Sequence, residues 1–194
     1  MNRIGIFAGG SLWILAAALS ADQAVGQQTA QHAPSAQSQQ PYAGLEARSI
    51  KALSEQQIVD LKAGRGMGLA LAAELHGYPG PMHVLELADS LGLSSDQRDR
   101  IRELLAAMKA EAVPLGERLI AQETDLDKQF ADKTMTPARL EVSTNAIGAT
   151  TGALRRAHLK YHLSTLDVLT AEQAQRYGEL RGYRAQMQHP HGRH

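Results

Sequence analysis

Cysteine is absent from this chain of 194 residues. No disulfide can form and no thiol can act as a nucleophile, so stability has to come from side-chain packing or from association. Aromatic residues are also scarce, at 4% of the sequence, and Trp13 is the only tryptophan. Acidic and basic residues balance at 20 each. The chain therefore lacks the basic excess that drives nucleic-acid binding, and nucleic acid is not an expected partner.

Two further absences bear on fold and function. No segment alternates polar and apolar residues with the period of two that marks a half-buried strand, which predicts an all-α fold. The sequence also lacks a GxSxG elbow, an HExxH pair and a phosphate-binding P-loop. Its carboxylates are typical of solvated helix faces that pair with Lys and Arg. An enzyme is therefore not expected.

The N-terminus has the features of an export signal. A short positive segment at residues 1–3 precedes an uncharged apolar run at residues 4–19, and small residues follow at the spacing that a signal peptidase reads. We predict a signal peptide at residues 1–26 and a periplasmic location. A spanning helix usually needs about 20 apolar residues. An uncleaved inner-membrane anchor, which would make the protein a tethered scaffold, is therefore the second interpretation.

Three segments follow the predicted signal. Residues 27–43 are rich in Gln, Ser and Pro and have no periodic apolar positions, which predicts a disordered linker. Residues 44–185 predict one helical domain of ordinary size. Residues 186–194 form a His-rich tail that we predict to be flexible.

Two long helices are predicted within the domain. From Ser94 to about Lys133, apolar residues recur every three or four positions and charged residues occupy the other faces. Pro114 lies inside this stretch and predicts a kink. The second helix begins at Thr136-Pro137, a cap followed by proline at the first helical position. Because the intervening loop is short, we expect a long antiparallel helical hairpin.

Shorter helices are predicted on both sides of this hairpin. Before it, turn residues separate helical stretches at residues 55–63, 67–75 and 83–91. After it, a helix restarts at Thr170. The glycines at positions 64, 66 and 68 lack the GxGxxG spacing. They therefore predict helix termination and close packing, not a phosphate site.

One phrase, Leu-Ser/Thr-x-x-Gln, occurs three times in the chain. The Ser or Thr hydroxyl can accept from a first-turn N–H while the Gln reaches back to the N–H of the cap residue. Each copy therefore predicts a helix start. The copies are Leu53-Ser54-x-x-Gln57, Leu93-Ser94-x-x-Gln97 and Leu169-Thr170-x-x-Gln173.

An exported, Cys-free, helical chain with these motifs resembles the Spy/CpxP family of periplasmic chaperones and stress proteins, whose signature is a pair of Leu-Thr-x-x-Gln motifs. Zinc-resistance-associated and heavy-metal-sensor proteins resemble the same family. The resemblance covers roughly residues 82–183 and rests on six motif residues: Leu93, Ser94, Gln97, Leu169, Thr170 and Gln173. The copy at Leu53 lies outside the region of resemblance.

The resemblance implies a homodimer whose curved helical hairpins form a cradle. Such a cradle would bind unfolded envelope proteins or metals and would report envelope stress to a membrane signalling partner. The first functional hypothesis is therefore a periplasmic stress-response binding protein, chaperone-like or accessory to envelope signalling. One departure is that the family's best-known chaperones are basic, whereas this chain has a net charge of zero.

Histidine carries the remaining chemical signal. His158 and His162 are four residues apart on the second long helix, so both imidazoles project from one face and can share a divalent ion. The competing interpretation is that His158 is a hydrogen-bonded residue between packed helices and that His162 is solvated. The alternative function is therefore a periplasmic sensor or buffer for Zn, Ni, Co or Cu.

Two ligands do not complete a metal site, so further donors are needed. The candidates on neighbouring helices are Glu74, His76, His83 and Glu86. The tail adds His189, His191 and His194, which can hold Zn or another divalent transition metal loosely or can be a polar end without a ligand.

Overall fold

The computed structural model describes residues 42–183, and within them the predicted all-α fold is confirmed. A 3-10 helix at Leu45–Ala47 is followed by α1 (Glu55–Lys62), α2 (Leu71–Leu75), α3 (Pro81–Glu86), α4 (Ser95–Ala131), α5 (Pro137–Leu166) and α6 (Ala171–Leu180). In this part of the chain the only β pairing is one isolated bridge, between Ile50 and Leu53. The predicted signal peptide, most of the predicted linker and the predicted tail lie outside the described residues.

The three Leu-Ser/Thr-x-x-Gln phrases form the predicted helix starts. Ser54, Ser94 and Thr170 cap α1, α4 and α6, and each cap forms a complete capping box with its glutamine. The α5 cap is Thr136, whose hydroxyl accepts from the N–H of Arg139. Local hydrogen bonding thus fixes where these four helices begin.

Helices α4 and α5 pack along each other in antiparallel directions. Gln97, near the start of α4, bonds to the carbonyl of Val168 just after α5. Further along, Glu111 on α4 accepts from Lys160 and Tyr161 on α5. We refer to α4, the loop at residues 132–136 and α5 as the hairpin. Helix α4 continues through Pro114 without a break.

Two of the short helices are shorter than the sequence predicted. Helix α2 begins at Leu71, not at residue 67, because Met67 and Gly68 both have positive φ angles that a helix cannot accommodate. Helix α3 begins at Pro81 and ends at Glu86, whereas the sequence predicted residues 83–91. Proline at the first helical position explains the earlier start. Hydrogen-bonded turns occupy the remaining residues up to Gly92.

The short helices cover one end of the hairpin and form two apolar clusters there. The first cluster joins α1 to α4 and α5 and contains Ile50, Leu53, Leu61, Ala112, Leu119 and Leu154. The second joins α3, α4 and α6 and contains Val84, Ala88, Leu91, Leu93, Ile101 and Tyr177. Small residues on α4 permit close approach, since a Cβ at Gly116 would lie 2.5 Å from the carbonyl oxygen of Leu61.

Apart from Ile120 and Ile147, which pack against the first cluster, the other end of the hairpin lacks such cover. We call residues 95–119 and 150–166 the hairpin base and residues 120–149 the hairpin tip. No residue of the tip is buried, and Phe130, Leu140 and Val142 are exposed there. Among the helices described, none combines the length and apolar character that crossing a bilayer requires.

Candidate functional site

Both imidazoles of the predicted metal pair are buried on α5. His158 and His162 are 2% and 8% exposed. They face two glycine-containing loops, at Gly66 and Gly80. The i, i+4 spacing therefore puts both rings on one helix face, as the sequence predicted, and this face packs against the segments that precede α4.

His158 is sealed from solvent. Its Nε2 atom is buried and has no hydrogen-bond partner among the described residues. Burial, and secondly the nearby charge of His162, lowers the pKa of His158. The neutral ring is therefore favoured, and a metal ion reaches Nε2 only if the surrounding loops move.

His162 is held in one tautomer. Its Nδ1 lies 2.7 Å from the carbonyl oxygen of Tyr78. A carbonyl oxygen only accepts, so Nδ1 carries the hydrogen and Nε2 keeps its lone pair. A Cβ at Gly80 would lie 2.9 Å from this Nε2. Glycine at this position thus leaves the lone pair uncovered by a side chain.

A buried carboxylate lies beside His162 and organises the site. Oε1 of Glu74 accepts from the hydroxyls of Tyr177 and Tyr183, and Oε2 accepts from the N–H of Gly80 at 3.2 Å. The Arg181 Nε atom lies 3.8 Å from Oε1. Burial, and then the bond to Glu74, raises the pKa of the Tyr177 hydroxyl, which therefore stays a donor. Four partners thus compensate the burial of Glu74.

Glu74 was only one of four further metal-ligand candidates in the sequence, and its role was not foreseen. Its Oε2 is 3.7 Å from Nδ1 of His162, which is too long for a hydrogen bond. The available signal was a single carboxylate in the apolar stretch MGLALAAEL. The tyrosines that bind it come from α6 and the residues after it, about 100 residues later, which no local pattern reveals.

His162 and Glu74 line a pocket of about 190 Å³. His83, Arg181 and Tyr183 line the same pocket. Of the other candidate ligands, Glu86 bonds to Nδ1 of His83 at 3.0 Å, whereas His76 lies in a different groove. Within residues 42–183, no group of three or more His, Asp or Glu is arranged to hold a metal ion.

The glutamines of two motif copies bond to each other. Nε2 of Gln97 donates to Oε1 of Gln173 at 2.8 Å, and Nε2 of Gln173 donates back at 3.1 Å. Each Oε1 also accepts from the N–H of its own cap residue, Ser94 or Thr170. A carboxylate only accepts, so Glu cannot replace Gln in this reciprocal pair. The motif pair therefore joins the starts of α4 and α6, which the capping prediction did not include.

An apolar groove lies between α2 and α5. Its volume is about 480 Å³, and its lining includes Met67, Leu71, Ala72, Leu75, His76 and Arg155. Met67, Leu71 and Leu75 are exposed although they are large and apolar. A contiguous exposed apolar surface is typical of an interaction site.

No family model, curated protein or solved structure matches the chain. The Spy/CpxP resemblance therefore remains a prediction from the motifs.

Proposed function

We propose that the protein is a periplasmic stress-response binding protein of the Spy/CpxP type, which captures unfolded segments of envelope proteins and is not an enzyme. The apolar groove between α2 and α5 carries this proposal. A chaperone-like binder needs exposed apolar side chains that adapt to many partners, and Met and Leu provide them. An accessory role in signalling would use the same surface to contact a membrane partner.

The groove suits segments that combine apolar and acidic side chains. Leu75, at 47% exposure, can gain apolar contacts that the folded chain leaves unused. Arg155 lines the same groove and supplies a positive charge for a client carboxylate. Charge attraction would thus be local, which is consistent with a chain whose net charge is zero.

Suppression of client aggregation tests this proposal. Leu75→Glu places a charge in the groove, so we expect it to reduce the protein's ability to delay light scattering by a diluted, denatured client. Leu163→Glu is the matched control, because Leu163 is 55% exposed but does not line the groove. Equal activity of the two variants, or no suppression by the parent protein, would refute the groove as a client site.

A homodimer is part of the proposed function. The uncovered hairpin tip exposes Phe130, Leu140 and Val142, and a second copy would bury such a surface. Light scattering at micromolar concentration measures the mass directly. A monomer at these concentrations would contradict the proposed dimer.

A second candidate function is binding of Zn, Ni, Co or Cu as a sensor or buffer. One observation favours it. His162 has its Nδ1 hydrogen directed to a carbonyl oxygen and its Nε2 lone pair uncovered, which is the arrangement that metal-binding histidines usually have. The sequence pairs His162 with His158 as the second ligand. Calorimetric titration of the full chain with Zn²⁺ tests this function: we expect His162→Gln to remove binding that the control His76→Gln retains, since His76 lies outside the pocket. Absence of zinc binding by the parent protein would refute it.

A further inference from the structure

Methionine holds all the sulfur in this protein. The chain contains six methionines and no cysteine, so an oxidant that attacks sulfur has only thioethers as its targets. Four of the six lie within the described residues. Met67 and Met82 are exposed, at 41% and 38%, whereas Met108 is 7% exposed and Met135 is partly buried. A dissolved oxidant therefore reaches Met67 and Met82 more readily than Met108.

The two exposed methionines differ in their surroundings. Met67 lines the apolar groove between α2 and α5 together with Leu71 and Leu75, whereas Met82 does not line this groove. Because the exposed fractions of Met67 and Met82 are nearly equal, their positions and not their accessibilities separate them. A chemical change at Met67 thus alters the surface of the groove directly, and the same change at Met82 does not.

The backbone presents Met67 to the groove in an unusual conformation. Its φ angle is 43°, in the left-handed region that favours glycine, and it stands between Gly66 and Gly68. Two hydrogen bonds fix this turn, from the N–H of Leu69 to the carbonyl of Gly66 and from the N–H of Leu71 to the carbonyl of Gly68. Strained residues of this kind cluster at functional sites. Since Met67 is not buried, the outlier favours a role for its side chain at the groove surface.

Oxidation changes what a thioether contributes to such a surface. The sulfur lone pair attacks one oxygen of hydrogen peroxide, the O–O bond breaks, and the leaving hydroxide takes the proton from the transferred oxygen to become water. The sulfur gives up two electrons and the peroxide is reduced. The product, methionine sulfoxide, is polar, so an apolar client segment that covers it must desolvate its oxygen. Methionine sulfoxide reductases reverse the reaction.

We propose that Met67 is an oxidation site that regulates the groove. A peroxide converts its thioether to the sulfoxide, and the groove then binds client segments less tightly until a methionine sulfoxide reductase restores the thioether. This regulation rests on the proposed function, because it acts on the groove between α2 and α5 as the client site.

Peptide mass spectrometry of the purified protein after treatment with hydrogen peroxide tests the modification. We expect sulfoxide to accumulate at Met67 and Met82 while Met108 stays reduced, as long as the chain is folded. Melting curves before and after treatment verify that the fold is retained. A Met67 thioether that reacts no faster than that of Met108 would overturn the proposed oxidation site.

Suppression of client aggregation tests the functional effect. Catalase removes the peroxide before the denatured client is added. The parent concentration that halves the light scattering should then rise roughly tenfold, because one methionine no longer gains from burial against the client. Met67→Leu should keep its suppression after treatment, since leucine is apolar and has no sulfur. Met82→Leu is the matched control and should lose suppression as the parent does.

Two further measurements complete the test. Untreated Met67→Gln should suppress aggregation as weakly as the treated parent, because the amide places a polar group where the sulfoxide lies. Treatment of the oxidised parent with reductases for both sulfoxide epimers should restore suppression.

The possible outcomes separate this regulation from the proposed function. If the treated parent suppresses aggregation as before with Met67 fully oxidised, or if Met67→Leu loses as much suppression as the parent, the regulation is wrong although the groove function stands. If the untreated parent does not suppress aggregation, the proposed function fails and the regulation fails with it.

Discussion

The hairpin base and the hairpin tip are built from the same two helices, yet they are packed very differently. In the base, α1, α3 and α6 cover α4 and α5, and residues such as Ile101, Ala112 and Thr165 are fully buried. In the tip, no residue at positions 120–149 is buried. The contrast shows that a pair of long helices does not by itself create a core, because most of the tip lacks the third layer of helices that covers the base.

The difference follows from where small residues are used. On α4, Ala112 and Gly116 allow α1 to approach closely, so the lack of a side chain increases packing. On α5, Gly148 in the tip has no atom within 4 Å of an added Cβ, so the lack of a side chain there brings no closer packing. The same residue type therefore stabilises the base and weakens the tip.

Truncation of one large side chain in each region should give the largest contrast. Ile101→Ala removes a side chain with 0% exposure in the base, and we expect it to lower the free energy of unfolding by about 3–4 kcal/mol. Phe130→Ala removes a 55% exposed ring from the tip and should change it by less than about 0.5 kcal/mol. Urea unfolding measures both, and similar losses would show that the tip is packed as firmly as the base.

Adding one methyl group should have opposite effects in the two regions. The new Cβ in Gly116→Ala would lie 2.5 Å from the Leu61 carbonyl oxygen, so α1 must shift, at a cost of about 2–3 kcal/mol. In Gly148→Ala the Cβ meets nothing within 4 Å, and better helix propensity should raise stability by about 0.5–1 kcal/mol. Thermal melts of both variants measure these changes in stability. A loss of stability in Gly148→Ala would mean that another surface covers the tip in solution.

The motif glutamines allow a test at the end of the base. Gln97→Glu keeps the acceptor for the Ser94 cap but removes the donor to Gln173 and Val168, so we expect a loss of about 2 kcal/mol. Gln57→Glu is the control, because Gln57 belongs to an exposed capping box, in which Glu functions equally well. Its effect should stay within about 0.5 kcal/mol. Equal losses of stability in Gln97→Glu and Gln57→Glu would show that the motif glutamines act only as separate helix caps.

Lower pH should reduce the stability of the hairpin base through His158. This effect should be the smallest of those predicted here. The folded chain lowers the pKa of His158, so the unfolded chain binds the proton more readily. The stability that the neutral ring contributes is therefore present above about pH 6.5, the ordinary His value, and is lost as the pH falls toward the lowered folded-state value. Unfolding measured at several pH values should show this loss. His158→Gln should flatten the dependence, and an unchanged slope would exclude His158 as its source.

The features that the sequence predicted are the local ones. Ser94, Thr136 and Thr170 cap the helices at the predicted positions because a cap needs only residues within one turn. The short helices were predicted less well. The positive φ angle of Met67, which delays α2, depends on tertiary packing that a single sequence does not reveal.

The candidate site depends both on local sequence spacing and on tertiary contacts that the spacing does not reveal. The i, i+4 spacing placed His158 and His162 on one face, and the structure agrees. Which ring is sealed, and which shares a pocket with His83, depends on loops at Gly66 and Gly80 that contribute no periodic pattern. Pairing between Gln97 and Gln173 spans 76 residues and was likewise beyond local reasoning.

Hydrogen exchange resolved along the hairpin tests the contrast between base and tip most directly. At a concentration low enough to avoid association, we expect backbone amides at residues 99–119 to exchange only on global unfolding. Amides at residues 124–145 should exchange at least about a hundredfold faster, because only one other helix holds each of them. Equal protection along both stretches would contradict the account, since it would mean that the tip belongs to the same cooperative core as the base.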